Sequence, residues 1–259
     1  PLADLLAQAV PWRRLRPLLR TGHLQALAIS ASSYTSGAHY TFYQSRLPIM
    51  PWTRSQRQAV PTALGVDHLM ASAAIPFVFP SVELPAAQGL EWFGDGSMRQ
   101  TAPISPAIHL GAQRVLVVGA GRMQEPADRA VSNSGYPSIA QVAGHALSSI
   151  FLDALAVDVE RLERINRTLA LLPLEAREGT PLRPVQALVI APSQRLDDIA
   201  GRHQAHLPLP VRTLLTAVGV RGQGPQASGA ALASYLLFEA PYTQALMALG
   251  EADTLARRD

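Results

Sequence analysis

Apolar residues at helical spacing open the chain. Leucines, alanines and a valine recur every three or four positions over residues 1–19, which predicts a helical segment. Pro11 and Pro17 interrupt this segment. We expect the helix to break near each of them, because proline lacks a backbone N–H and clashes with the preceding turn.

Two β-type runs and one helix follow. Residues 26–31 and 39–43 are short and largely apolar, and the turn-forming residues 34–38 separate them. This pattern predicts a hairpin. A helix is predicted over residues 64–72. It should end before Pro76, because the residue that precedes a proline avoids the helical conformation.

A strand, a helix and a second strand come next. Residues 92–93 end a predicted strand that runs into a tight turn at 94–97. Residues 105–110 predict a short helix closed by Gly111, and residues 114–118 predict a buried strand of the parallel type. This succession is typical of an α/β layer.

The second half of the chain is predicted to be mainly helical. Residues 124–138 are polar and indicate a surface loop between two regions. The clearest helical pattern covers residues 147–169, and a further buried strand is expected at 185–190. Helices interrupted by proline and glycine are expected over 208–220 and 230–249.

The composition removes several classes of activity. Of 259 residues, 48% are hydrophobic and 16% are charged, which predicts a globular fold. The chain contains no Cys and no Lys. Thiolate nucleophiles, disulfides, Schiff bases and phosphate-loop lysines are therefore excluded, and the chemistry of Ser, Asp and His remains.

The charge balance does not favour nucleic-acid binding. All 22 basic residues are Arg, and 19 acidic residues leave a net charge of only +3. No apolar run reaches the roughly 18 residues that a bilayer span needs. We expect no nucleic-acid partner and a location in the cytoplasm or at the periphery of a membrane.

One arginine-rich segment suits a peripheral membrane contact. Residues 12–20 mix four arginines with tryptophan and leucines, and such a segment can rest on anionic lipid headgroups. An ordinary solvated helix face is the simpler interpretation, because Pro17 should shorten the helix.

Metal and cofactor motifs are incomplete. His203 and His206 lie three apart without a clear third ligand, so no metal site is predicted. The run Gly119-Ala120-Gly121 follows a predicted strand but lacks the third glycine of a dinucleotide loop. We expect neither a metal ion nor an organic cofactor.

Several motifs in the first half of the chain occur together in one enzyme family. Ala-Ser-Ala-Ala-Ile-Pro-Phe-Val-Phe-Pro occupies 71–80, Gly-Asp-Gly-Ser occupies 94–97, and Pro103 and Gly111-Ala112 precede the strand at 114–118. In order and spacing these motifs resemble the C-terminal half of the catalytic domain of bacterial patatin-like phospholipases.

The resemblance implies a three-layer α/β/α hydrolase domain, of which residues 1–122 form the later half. Segments 161–169 and 234–239 are similar to an extension of bacterial members. They imply a mainly helical C-terminal extension over residues 139–259. The family hydrolyses lipids with a Ser–Asp dyad, so a lipid acyl ester is the implied substrate; the oligomeric state stays open.

The resemblance gives Asp95 the role of proton acceptor. Gly94, Gly96, Ser97 and Pro76 are implied to shape the site or to contact the substrate. A carboxylate can accept a serine proton if burial raises its basicity, and the glycines would permit a tight turn and close approach of the substrate. Ser97 departs from the family, which has Gly or Ala there. From spacing alone, Asp-Gly is also a common turn dipeptide.

The family's nucleophile is missing from the chain. No serine lies in a Gly-x-Ser-x-Gly motif, and no glycine-rich oxyanion loop precedes the predicted hairpin. Both motifs come before the hairpin in the family, and Pro1 stands within a helical pattern. We therefore expect an upstream segment of the same protein to carry them. The alternative is a non-catalytic lipid- or protein-binding module with this fold.

Overall fold

The structure, a computed structural model, is of the mixed α/β class, as the sequence predicts. It describes residues 2–76, 78–123, 136, 138–220 and 230–257, without the side chains of 147–153. The predicted loop at 124–138 lies outside the described residues, apart from Tyr136 and Ser138. The chain forms two compact units, Pro1–Gln113 and Arg114–Asp259.

The first unit combines a sheet with short helices. Its described elements are α1 (Leu2–Ala9), α2 (Trp12–Thr21), β1 (Ala26–Ser33), β2 (His39–Ser45), β3 (Thr53–Arg54), β4 (Arg57–Pro61), α3 (Val66–Ser72), β5 (Val82–Ala86), β6 (Gly89–Gly94) and α4 (Ser105–His109). The hairpin, the helix that ends before Pro76 and the helix before Gly111 are confirmed.

In the described part of this unit, six strands form one sheet in the order β3-β4-β2-β1-β6-β5. β1 and β2 pair antiparallel from Ala26↔Ser45 to Ser32↔His39, and β2 pairs in parallel with β4. The end of β6 pairs with the end of β1 through Ser32↔Gly94. The hairpin turn and the end of β6 therefore lie next to each other at one end of these inner strands.

Aromatic side chains fill the interior of the first unit. Tyr40, Phe42 and Phe93 are at most 1% exposed. The ring of Phe93 meets the rings of Tyr40 and Phe42 edge to face, with centroids 5.2 Å apart in both pairs. Such contacts add to the free energy of burying the rings, so this cluster fixes the strand that ends at Gly94.

The expected helix break at Pro17 is wrong, whereas Pro11 does separate α1 from α2. Pro17 lies inside α2, where its ring removes one backbone hydrogen bond. Leu15 and Leu19 stand one turn apart and are both buried. Their packing offsets the lost hydrogen bond. The arginines of this helix are exposed.

The second unit is mainly helical. Its described elements are β7 (Arg114–Val118), α5 (Ile139–Leu171), α6 (Leu174–Glu178), β8 (Gln186–Ile190), α7 (Leu196–His203) with a 3₁₀ turn (Gln204–His206), α8 (Leu209–Ala217), α9 (Ala230–Ser234) and α10 (Ala240–Leu255). One buried cluster joins helices α7 to α10, with Ile199, Leu215, Leu237 and Tyr242 among its members. None of the described helices is both long and apolar enough to span a membrane.

The strands of the second unit are parallel, as predicted, but they are not buried. Leu116 and Val118 of β7 are 61% and 76% exposed, and Leu188 of β8 is 50% exposed. The prediction of burial is therefore wrong for these side chains among the described residues. β7 pairs with β8 along its whole length. The boundary between the units therefore falls at 113/114, before the expected 122.

Candidate functional site

Asp95 directly follows β6 and is buried, with only 7% of its surface exposed. Its backbone N–H donates to the carbonyl of Ala74 at 3.1 Å, and the N–H of Gly96 donates to the carbonyl of Ser72, also at 3.1 Å. Ser72 is the last residue of α3, where helix carbonyls lack partners within the helix, and Ala74 lies two residues beyond it. The end of α3 thus holds the upstream side of the Asp95 turn.

The two glycines around Asp95 are required by close packing. A Cβ on Gly94 would lie 2.3 Å from the Tyr34 hydroxyl, and a Cβ on Gly96 would lie 2.2 Å from the Ser30 carbonyl oxygen. Neither glycine has the positive φ that would demand glycine for its backbone conformation. The groups that approach them belong to β1 and to the hairpin turn.

The carboxylate of Asp95 has few partners. Its Oδ1 accepts a hydrogen bond from the backbone N–H of Ser97 at 2.8 Å. Burial raises the pKa of Asp95, and hydrogen bonds from the N–H and the hydroxyl of Ser97 partly oppose this shift. Among the described residues, Ser97 alone supplies hydrogen bonds to this carboxylate. The Asp95 carboxylate is therefore more basic than an exposed one. It can accept a hydrogen bond from a further donor.

The β1–β2 hairpin holds the downstream side of the turn. The carbonyl of Met98 accepts hydrogen bonds from the Ser32 hydroxyl and from the ring of His39. The guanidinium of Arg99 donates to the carbonyl of Gly37 at 2.8 Å. Burial lowers the pKa of His39 to about 4, so the ring is neutral near pH 7.

A buried carboxylate also ties the hairpin turn to β6. Glu91 is 6% exposed and accepts hydrogen bonds from Ser33 (2.5 Å), Ser36 (2.7 Å) and Tyr40 (2.8 Å). Burial would raise the pKa of Glu91, but the hydroxyls of Ser33, Ser36 and Tyr40 outweigh it and lower the pKa. Hydrogen bonds from these three hydroxyls therefore stabilise the charged form of Glu91.

The structure brings most of the predicted site residues together. Gly94, Asp95, Gly96 and Ser97 form the turn after β6. Pro76 is half-buried in the turn after α3, two residues beyond Ala74, whose carbonyl binds the Asp95 N–H. The motif before Pro76 thus contributes backbone carbonyls to the site.

The sequence analysis missed Tyr34, His39 and Glu91. Tyr34 and His39 each bind Met98, and Glu91 binds the hydroxyl of Tyr40, so each contact joins residues that are 51 or more positions apart in sequence. The one signal in the sequence was their type and place: an acidic residue between Leu90 and Trp92 in an apolar strand, and a histidine that opens another. Neither signal indicates which residues these two side chains would contact.

The second unit has an apolar cavity, and no comparable cluster of polar groups surrounds it among the residues that the structure describes. The cavity, of about 170 Å³, lies at the carboxyl ends of β7 and β8. Among its described lining residues Asp253 is the charged one, and its carboxylate accepts the Ser193 N–H at 2.9 Å. The described residues 119–123, which contain the Gly119-Ala120-Gly121 run, form no helix.

No group of three or more metal-ligating side chains occurs among the described residues. Comparison with known proteins finds neither a protein-family model nor a curated relative that matches the chain.

Proposed function

We propose that this chain carries the proton acceptor of a serine hydrolase that cleaves acyl esters of lipids. In this proposal Asp95 is the acceptor, and the serine nucleophile comes from outside residues 1–259. The observation that carries the proposal is a buried carboxylate at a strand end that is more basic than usual and that, among the described residues, accepts hydrogen bonds from Ser97 alone. The resemblance to patatin-like phospholipases adds the reaction class and a three-layer α/β/α fold.

The mechanism follows from the basicity of Asp95. Asp95 takes the proton of the serine hydroxyl while the serine oxygen attacks the ester carbonyl. Asp95 then gives that proton to the leaving alcohol, and an acyl-serine remains. A water molecule attacks the acyl-serine and Asp95 takes its proton. Asp95 then returns this proton to the serine oxygen as the bond to the acyl group breaks, which releases the fatty acid and restores the serine and the free carboxylate. No metal ion enters this sequence of steps.

The site favours this role through its fixed backbone. α3 holds one side of the Asp95 turn and the β1–β2 hairpin holds the other, so the carboxylate is positioned before substrate arrives. Pre-organisation of this kind reduces the entropic cost of reaching the reactive geometry. Because Asp95 must be unprotonated to act, the rate should rise with pH through its raised pKa.

The first test is Asp95→Asn in the complete protein, with p-nitrophenyl butyrate and phosphatidylcholine vesicles as substrates. Loss of the base should lower kcat at least about 100-fold. Asp67→Asn, which changes an exposed carboxylate of α3, should leave kcat unchanged. Thermal unfolding must show that both variants fold. Full turnover by Asp95→Asn would refute the role of Asp95.

A fluorophosphonate probe tests the origin of the nucleophile. Such a probe labels an activated serine covalently, and mass spectrometry of the labelled peptides identifies that serine. We expect the label on a Gly-x-Ser-x-Gly peptide that lies outside residues 1–259. If the complete protein is neither labelled nor active on either ester, the alternative holds, and the chain is a non-catalytic lipid- or protein-binding module.

A further inference from the structure

Tyr34 lies beside the candidate base without hydrogen bonding to it. Its ring packs over Gly94, the residue before Asp95, so closely that a Cβ on Gly94 would collide with the ring and the hydroxyl. The side chain is nevertheless 48% exposed. Tyr34 therefore joins the buried Asp95 turn to the surface of the first unit.

The hydroxyl of Tyr34 is an under-used donor. Among the described residues its acceptor is the Met98 Sδ at 3.7 Å, and a thioether sulfur is a weak acceptor. Burial and the charge of Asp95 both raise the pKa of Tyr34, so the phenol keeps its proton at neutral pH. An oxygen that enters the site would be a better acceptor than the sulfur.

The turn that carries Tyr34 is held rigidly. The Tyr34 N–H donates to the carbonyl of Trp92 at 2.8 Å, and the Trp92 N–H donates to the Thr35 hydroxyl at 3.0 Å. The hydroxyls of Ser33 and Ser36, on either side, bind the buried Glu91. A side chain on such a support needs little ordering when it binds a ligand.

We propose that Tyr34 is a substrate-binding residue of the Asp95 site, and that its phenolic O–H donates a hydrogen bond to an oxygen of the acyl ester. This inference rests on the proposed function, since it names the group that binds the substrate of that reaction. A purely structural role would need the ring against Gly94 and would not need the hydroxyl. Tyr34→Phe separates the two roles, because it keeps the ring and removes the hydroxyl.

The kinetic test compares Tyr34→Phe with the wild type on p-nitrophenyl butyrate. Loss of one hydrogen bond to substrate should lower kcat/KM about 5-fold, mainly through a higher KM. Tyr136→Phe is the matched control, because Tyr136 is fully exposed and lies in the other unit. Kinetics of Tyr34→Phe equal to those of the wild type would overturn the inference.

A binding test keeps this inference separable from the proposed function. Ethyl butyrate is titrated into the ¹⁵N-labelled complete protein, in which Asp95→Asn prevents turnover, while the amide signals of Gly94 and Gly96 are followed with and without Tyr34→Phe. We expect these signals to shift, with an apparent Kd about 5-fold weaker in Tyr34→Phe. Equal Kd values, or no shift in either protein, would overturn the inference even if the complete protein is an esterase. Tyr34-dependent binding in a protein without esterase activity would overturn the proposed function alone.

Discussion

The six-stranded sheet of the first unit and the two-stranded sheet of the second differ in what covers their side chains. In the first, Tyr40, Phe42 and Phe93 are almost completely buried. In the second, Leu116 and Val118 are mostly exposed among the described residues. The exposed strand β7, Arg-Val-Leu-Val-Val, is more uniformly apolar in sequence than the buried strand β2, His-Tyr-Thr-Phe-Tyr-Gln-Ser. An apolar run therefore predicts a strand more reliably than it predicts the cover over that strand.

The difference in cover also decides where titratable side chains have shifted pKa values. The covered sheet keeps His39, Glu91 and Asp95 away from water, and all three have shifted pKa values. Burial alone would move a carboxylate pKa upward, as it does for Asp95. The pKa of Glu91 is lowered instead, because three hydroxyls donate hydrogen bonds to its carboxylate. A candidate catalytic group and a structural one thus differ in the number of donors around the carboxylate.

Truncation of the aromatic cluster should have the largest effect. Phe93→Ala removes a fully buried ring from contact with Tyr40 and Phe42 and should lower the free energy of unfolding by about 4 kcal/mol. Leu90→Ala, at an exposed position of the same strand, is the control and should cost less than about 1 kcal/mol. Tryptophan fluorescence during denaturation reports this unit, because Trp12, Trp52 and Trp92 all lie within it. Equal losses in both variants would remove the basis for calling this sheet the covered one.

The predictable parts of the fold are those specified locally. Proline, glycine and the alternation of apolar residues were enough for the hairpin, for α3 and for the strand that ends before Asp95. The exposed face of β7 and β8 was not predictable, because periodicity carries no information about which element packs on a strand. The helix through Pro17 was missed because tertiary packing of Leu15 and Leu19 outweighs a local propensity.

The candidate site was predictable only in part. Asp95 and its glycines came from a motif, and that motif gave the right neighbours along the chain. The collisions that make Gly94 and Gly96 necessary come from Tyr34 and Ser30, 60 or more residues away in sequence. No single sequence pattern encodes which side chain packs over a turn, so Tyr34 could be identified as a neighbour of Asp95 only from the folded structure.

His39 should make the stability of the first unit depend on pH. Its pKa falls from 6.5 to about 4 on folding, mainly through burial, so the unfolded chain binds more protons between these values. Stability conferred by the neutral ring is then complete above pH 6.5 and is lost as pH falls to 4, by about 3 kcal/mol. Urea denaturation followed by tryptophan fluorescence at several pH values measures the slope of unfolding free energy against pH.

A variant pair isolates the contribution of His39 from that of the carboxylates. His39→Gln removes the titrating ring and keeps a donor for the Met98 carbonyl, so stability should fall less steeply between pH 6.5 and 4. The part due to His68, whose pKa burial also lowers, should stay. His23→Gln changes an exposed histidine and should keep the slope. An unchanged slope in His39→Gln would show that this histidine is not held neutral by the covered sheet.

The hydrogen bonds to Glu91 should contribute somewhat less to the free energy of unfolding than the neutral ring of His39. Glu91→Gln replaces a charged acceptor of three hydroxyl hydrogen bonds by an amide with one acceptor oxygen, and should cost about 2 kcal/mol. Glu83→Gln, on the exposed side of neighbouring β5, should stay within about 0.5 kcal/mol. Denaturation followed by tryptophan fluorescence compares the two. A cost for Glu91→Gln no larger than for Glu83→Gln would mean that the hydroxyls lose nothing when the charge is removed.

Substitution on the exposed face of the second sheet should have the smallest effect. Leu116→Ser changes a side chain that is 61% exposed, so little buried surface is lost and the change in unfolding free energy should stay within about 0.5 kcal/mol. Far-UV circular dichroism is the suitable probe, because no tryptophan lies in the second unit. Val115→Ser, on the less exposed face of the same strand, is the matched comparison and should cost more. A loss above about 1.5 kcal/mol for Leu116→Ser would mean that Leu116 is covered in the folded protein, and the two sheets would then differ less than their exposed fractions indicate.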